Sequence, residues 1–215
     1  SEQQEQQDDA RRQQHRQRHR AEAFVKEDEI DPVYYEKSYH LAPQTGGEKP
    51  YALLLRAMER VPDLRLDIVG SGPEGPRLKT LAQALAITDR VRWYGEYPDE
   101  DLPRRMADAD FLVLPSVTVE EMFGLVVLEA MAAGRPVITT ALPSAVREVN
   151  VPGVTGLEVP LRDVSALARA LETLGRDSAR RRTMGEAGRK RVAEKFTQTA
   201  MAERHIELYE RIRAG

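Results

Sequence analysis

Two carboxylates eight residues apart, Glu121 and Glu129, bracket a glycine in the run Val119 to Gly134, VEEMFGLVVLEAMAAG, and this is where the sequence concentrates its chemistry. From Leu125 to Ala133 every residue except Glu129 is apolar, the pattern expected of a helix buried on all sides rather than of one with a wet face. Gly134, Arg135 and Pro136 supply the stop, a glycine just past the helix and a proline that cannot continue it. The helix is therefore expected to begin near Gly124. A helix start carries unpaired N–H donors and the positive end of the dipole, which together favour an anion. Here those donors belong to Gly124, Leu125 and Val126, and Gly124 lets an anion approach the backbone. A carboxylate inside an apolar helix is costly to bury unless it is paired, so Glu129 calls for a partner. On the residues alone two accounts fit equally well: an acid pair facing a ligand, or a solvated Glu121 favoured by the helix dipole together with a salt-bridged Glu129.

The flanking segments FLVLPS (Phe111 to Ser116) and RPVITT (Arg135 to Thr140) are short β-rich runs of the kind found in buried parallel strands. Strand, loop, helix and strand make a βαβ unit, in which a ligand sits where the carboxyl ends of the strands meet the helix starts; that places it at the loop Pro115 to Phe123. Upstream, LRLDIVG reads as a buried strand and Gly70-Ser71-Gly72-Pro73 as the tight turn after it, where backbone can approach a ligand or simply turn into a helix. Helices are expected over 74–86 and 99–107, with a strand over 91–94 in which Trp93 reads as core. Downstream, 164–174 reads as an amphipathic helix and the arginine-rich run 176–195 as a solvated helix face. Met201, Ile206, Leu208 and Ile212 recur at helical spacing in FTQTAMAERHIELYERI. Alternating strand and helix signals predict an α/β, Rossmann-like domain, its sheet mostly parallel with helices on both faces. The parallel strands are expected at Leu64 to Val69, Val91 to Tyr94, Phe111 to Leu114 and Val137 to Thr140.

The composition allows a substantial core, 41% of the 215 residues being hydrophobic. A net charge of −3 gives no global argument for nucleic acid or membrane binding. No apolar run is long enough to span a bilayer and Ser1 opens no signal segment, which leads to the expectation of a cytoplasmic protein. Cysteine is absent, so disulfides and thiolate metal sites are excluded. His15, His19, His40 and His205 lack metal-ligand spacing, and neither a metal nor a cofactor is expected. Residues 1–20 contain no aliphatic residue larger than alanine and are expected to form a disordered, Gln- and Arg-rich tail that can be dispensed with.

The stretch EEMFGLVVLEAMAAGRPVI resembles the E-x7-E signature of the family-four retaining glycosyltransferases, whose C-terminal GT-B domain binds a nucleotide-sugar donor. The resemblance extends to GEKPYALLLRAMERVPDLRLDIVGSGPE, to Ser144–Glu148, to GVTGLEVP and to the closing helix, so that 45–215 is expected to be this donor-binding domain. It implies that Glu121 faces the donor sugar as the catalytic residue, that the backbone of Phe123, Gly124 and Leu125 meets the distal phosphate, and that Glu129 holds the ribose hydroxyls. It further implies a phosphate-binding Lys49, backbone approach at Gly70 and Gly72, and a nucleotide base against the loop that carries Tyr94. The chain departs from the family at Pro50, Met122 and Gln198. It departs again at Gln44, which stands where a phosphate-binding arginine is expected.

Residues 24–59, and DEIDPVYYEKSYHLAP above all, are similar to a short segment of the bacterial Ku proteins, which encircle DNA ends. VYYEKSYHL alternates like an edge strand bounded by Pro32 and Pro43. The organisation expected is thus a tail over 1–20, a Ku-like aromatic segment over 21–44 and the glycosyltransferase domain from 45. The function expected is binding of a nucleoside-diphosphate sugar for retaining transfer, with the acceptor-binding domain missing, so that this chain alone is incomplete and inactive. The alternative is a DNA-end-binding fragment fused to a non-catalytic nucleotide-binding domain, although DNA is not the partner expected.

Overall fold

The computed structural model describes residues 22–26, 49–96, 98, 100–117 and 124–214. Its elements, in chain order, are β1 (Glu22–Lys26), α1 (Pro50–Glu59), β2 (Arg65–Val69), α2 (Gly75–Ala84), a 3₁₀ turn (Thr88–Arg90), β3 (Val91–Gly95), α3 (Leu102–Asp108), β4 (Phe111–Leu114), α4 (Leu125–Ala132), β5 (Val137–Thr140), α5 (Val146–Val149), β6 (Gly156–Val159), α6 (Val164–Arg176), α7 (Ser178–Lys195) and α8 (Gln198–Ala214). The strands form one six-stranded sheet in the order β3-β2-β1-β4-β5-β6, and every ladder in it is parallel.

Alternate residues of each strand face opposite layers, and the cores divide accordingly. Leu66, Ile68, Phe111, Val113 and Ile138 pack against α1, α2 and α6. Val69, Leu112, Leu114 and Val137 pack against α3, α4 and α5 on the other face. Both faces being covered, β4 and β5 are buried along their whole length; β4 is accordingly an unbroken apolar run rather than an alternating one, and the two threonines that end β5 are buried as well.

Local chemistry fixes the helix ends. Asp163 accepts the Ala166 N–H at 2.8 Å and Asp177 accepts the Arg180 N–H at 2.8 Å, capping α6 and α7. Proline occupies the first turn of α1, α2 and α3, where its missing N–H costs nothing. The arginines of α7 are not simply solvated. Arg181 donates to the carbonyls of Leu174 and Gly175, Arg189 to that of Ala133, and Arg191 to those of Glu148 and Val149. One helix thereby caps the carbonyl ends of α6, α4 and α5.

Three features depart from the sequence reading. A strand at Glu22–Lys26 lies at the centre of the sheet, within residues expected to form a Ku-like segment ahead of the domain. Gly156–Val159 pairs with β5 along its full length, a strand beyond the four parallel strands expected. The apolar residues of α8 do not pack inward: Met201, Ile206, Leu208 and Ile212 are exposed. Among the described residues no helix is long and apolar enough to cross a membrane.

Candidate functional site

In a parallel sheet the crossover helices run against the strands, so their starts gather at the carboxyl edge. That edge brings together the ends of β2, β4 and β5 with the starts of α1, α2 and α4. Gly124 opens α4 in the left-handed region, at φ 67° and ψ 56°, a conformation costly for any residue with a side chain. Space requires glycine as well. A Cβ on Gly124 would lie 3.1 Å from Val146 Cγ2, 3.3 Å from Val127 Cγ2 and 3.6 Å from Leu114 Cδ2. The Gly124 carbonyl accepts the Val127 N–H at 2.8 Å, and helix geometry gives the N–H groups of Leu125 and Val126 no intrahelical acceptor. The positive end of α4 thus faces the crevice at the carboxyl edge.

The far end of α4 is fixed too. Gly134, at φ 73°, donates to Met131, and Arg135 donates to Ala130 at 2.8 Å, the paired bonds of a Schellman cap. Helix α7 crosses at this point so closely that a Cβ on Gly185 would sit 2.0 Å from the Gly134 carbonyl oxygen. The helix start that addresses the crevice is therefore positioned by contacts at both ends of the helix.

The expectation of burial on all sides is corrected. Val127, Ala130 and Met131 are buried against the sheet and the neighbouring helices, whereas Leu125 is 67% exposed and Glu129 and Ala132 are exposed. These three positions, spaced four and three apart, form one open flank. An apolar run shows that a helix is greasy but not which of its sides a neighbour covers. Glu129 accordingly stays in contact with solvent, one turn beyond Leu125.

Of the other expected site residues, those that the structure describes lie around the same edge. Gly70 ends β2 and donates to the Gly95 carbonyl at 2.7 Å, tying the ends of β2 and β3 together. Gly72 is exposed, and its carbonyl accepts the Gly75 N–H at 3.0 Å as α2 opens. The Thr140 hydroxyl donates to the Ser116 carbonyl, joining the ends of β4 and β5. Lys49 is exposed at the start of α1. Glu121 and Phe123 lie outside the described residues.

Tyr94 is half-buried in β3, and its hydroxyl accepts from Arg105, whose guanidinium also stands 4.4 Å over the ring. Arg105 is paired with Asp67 as well, a buried residue of β2 whose Oδ1 has no hydrogen-bond partner. Burial pushes the Asp67 carboxyl above its ordinary value, against the opposing pull of Arg105, Arg92 and Arg65. The triad locks β2 and β3 to α3. Sequence reasoning missed it, although the lone acid inside LRLDIVG was a signal. It also missed Asn150, which donates to Thr139 at 2.9 Å and to the Leu157 carbonyl at 3.2 Å and accepts from Thr155 at 2.9 Å, joining β5 to β6. Among the described residues no group of three His, Asp or Glu side chains could hold a metal ion.

Residues 42–191 match the family described as glycosyl transferases group 1, and residues 2–61 match the Ku70/Ku80 β-barrel domain. A D-inositol 3-phosphate glycosyltransferase of Mycobacterium sp. is 40% identical over 131 residues, covering 57% of this chain and 28% of the relative. A GDP-mannose-dependent α-(1-6)-phosphatidylinositol monomannoside mannosyltransferase of Mycolicibacterium smegmatis is 36% identical over 154 residues, covering 69% of this chain and 40% of the relative. Among solved structures, a sucrose-phosphate synthase from Thermosynechococcus elongatus superposes with a TM-score of 0.70 at 31% identity, over 90% of this chain and 46% of the other. The chain spans less than half the length of each of these proteins.

Proposed function

The chain belongs to the glycosyl transferases group 1, and on that premise we propose that it is the donor-binding domain of a retaining enzyme, taking a nucleoside-diphosphate sugar at the carboxyl edge of its sheet. The observation that carries this reading is the start of α4: a left-handed glycine, held by Val146 and Leu114, that turns the positive end of the helix and the N–H groups of Leu125 and Val126 towards the crevice. A diphosphate is the anion such a start accommodates. The exposed Glu129 lies one turn further along the open flank, in reach of a neutral polar part of the same ligand, and a ribose diol supplies the hydroxyl donors that a carboxylate accepts. A GDP-mannose-dependent relative accords with a sugar nucleotide as donor.

In the reaction, departure of the nucleoside diphosphate builds negative charge on the distal phosphate while the anomeric carbon gains oxocarbenium character. The amides at Leu125 and Val126 and the ammonium of Lys49 stabilise the leaving charge. To Glu121, which lies outside the described residues, the resemblance assigns the sugar. The arrangement calls for no metal. Each of the three proteins named above is more than twice as long as the part this chain covers, and we assign the 215 residues donor binding without turnover, because transfer also needs an acceptor held in line. Incubating the purified chain with several nucleotide sugars and a mixed acceptor panel is expected to give no glycosylated product. Product that disappears in Glu121→Ala would overturn the assignment of incompleteness.

A further inference from the structure

The span matching the glycosyltransferase family begins at residue 42, yet the centre of its sheet is residues 22–26, which lie inside the span matching Ku. Strand β1 pairs with β2 from Glu22↔Arg65 through Lys26↔Val69, and with β4 at Ala23↔Phe111 and Phe24↔Leu112. Among the described residues, strands β2 and β4 have no ladder with each other, and β1 alone joins β3-β2 to β4-β5-β6. Without it the sheet has two open edges facing one another across the interior, on strands whose residues Leu66–Val69 and Phe111–Leu114 are buried. Buried backbone N–H and C=O groups left without partners are strongly disfavoured, so the slot between β2 and β4 demands a parallel strand.

We propose that the segment matching Ku is not a second module: its residues 22–26 are the keystone strand of the glycosyltransferase domain, and the slot between β2 and β4 is the surface they are committed to. A backbone hydrogen-bonded on both sides to β2 and β4 cannot at the same time pair within a DNA-encircling barrel. Folding of the donor domain and a Ku-type use of this segment are therefore mutually exclusive states of one chain. The domain capable of folding begins at or before Glu22, not at residue 42. This inference is independent of which ligand the crevice takes.

Hydrogen exchange on the full chain tests it. Amides of 22–26 are expected to exchange at least about 100-fold more slowly than those of 1–20 and in step with those of β2, because they open only when the sheet does. As a second measurement, Phe24→Pro removes a ladder donor in a central strand. It should abolish cooperative unfolding or lower the melting temperature sharply, whereas Gln14→Pro leaves it unchanged. Exchange of 22–26 at the rate of 1–20, or a Phe24→Pro chain that melts with the parent, would overturn the proposal.

Discussion

Replacing Gly124 by alanine tests whether the start of α4 is as constrained as its geometry implies, and the cost separates into two parts. The left-handed backbone at φ 67° costs a residue with a Cβ roughly 1–2 kcal/mol. The new methyl would also meet Val146 Cγ2 at 3.1 Å and Val127 Cγ2 at 3.3 Å, tighter than ordinary contact, and overpacking of this sort costs roughly 1–3 kcal/mol. The sum is about 2–5 kcal/mol. Gly153 isolates the first part, since it sits at φ 81° with nothing within 4 Å of where its Cβ would be; Gly153→Ala should cost only about 1–2 kcal/mol. Urea unfolding of the parent and both variants reads the difference directly. In thermal melts each kcal/mol corresponds to about 2–4 °C for a chain of this size. Equal destabilisation by the two substitutions would show that Val146 and Val127 do not clamp the helix start, and the account of its positioning would fail.

Gly185→Ala would force a methyl onto the Gly134 carbonyl oxygen, 2.0 Å away, with backbone on both sides; the unfolding midpoint should fall by more than it does for Gly153→Ala, and an unchanged midpoint would contradict the close crossing of α7 and α4. Asp67 predicts a pH dependence. Its folded pKa is raised by burial, so the stability contributed by its protonated form is present below the ordinary aspartate range and is lost as pH rises through the raised value. The stability of the parent relative to Asp67→Asn should decline over that window and then level off, and a rising or flat difference in urea titrations would reverse the sign assigned here. Deleting residues 1–20 should leave the melting temperature unchanged, since they offer little to bury; a clear drop would show that this segment docks.

Much of the central unit could be read from the residues because its signals are local. The apolar run of β4 needs burial on both faces, and Gly134 with Pro136 marks a helix end that the structure caps with bonds from Gly134 and Arg135. What escaped depends on partners distant in sequence. EAFVK carries two charges in five residues and becomes a strand because β2 and β4 lie open on either side of it. The arginines of α7 look like a solvated face until the carbonyl ends of α4, α5 and α6 are brought beneath them. The open flank of α4 escaped for the same reason, since coverage is a property of neighbours and not of the run itself. Of the expected site residues, Lys49, Gly70, Gly72, Gly124 and Leu125 fall at strand ends and helix starts on one edge of the sheet, with Glu129 one turn along α4. The Asp67–Arg105–Tyr94 triad was hidden because its members come from three separate elements.

Calorimetric titration of the full chain with a panel of nucleoside diphosphates, repeated on Glu129→Ala, tests donor binding most directly. At least one diphosphate should bind the parent. Loss of hydrogen bonds to a charged carboxylate costs about 1.5–3 kcal/mol, so Glu129→Ala should weaken that binding about tenfold to a hundredfold. A parent that binds none of the diphosphates, or a variant that binds as tightly as the parent, would contradict the account.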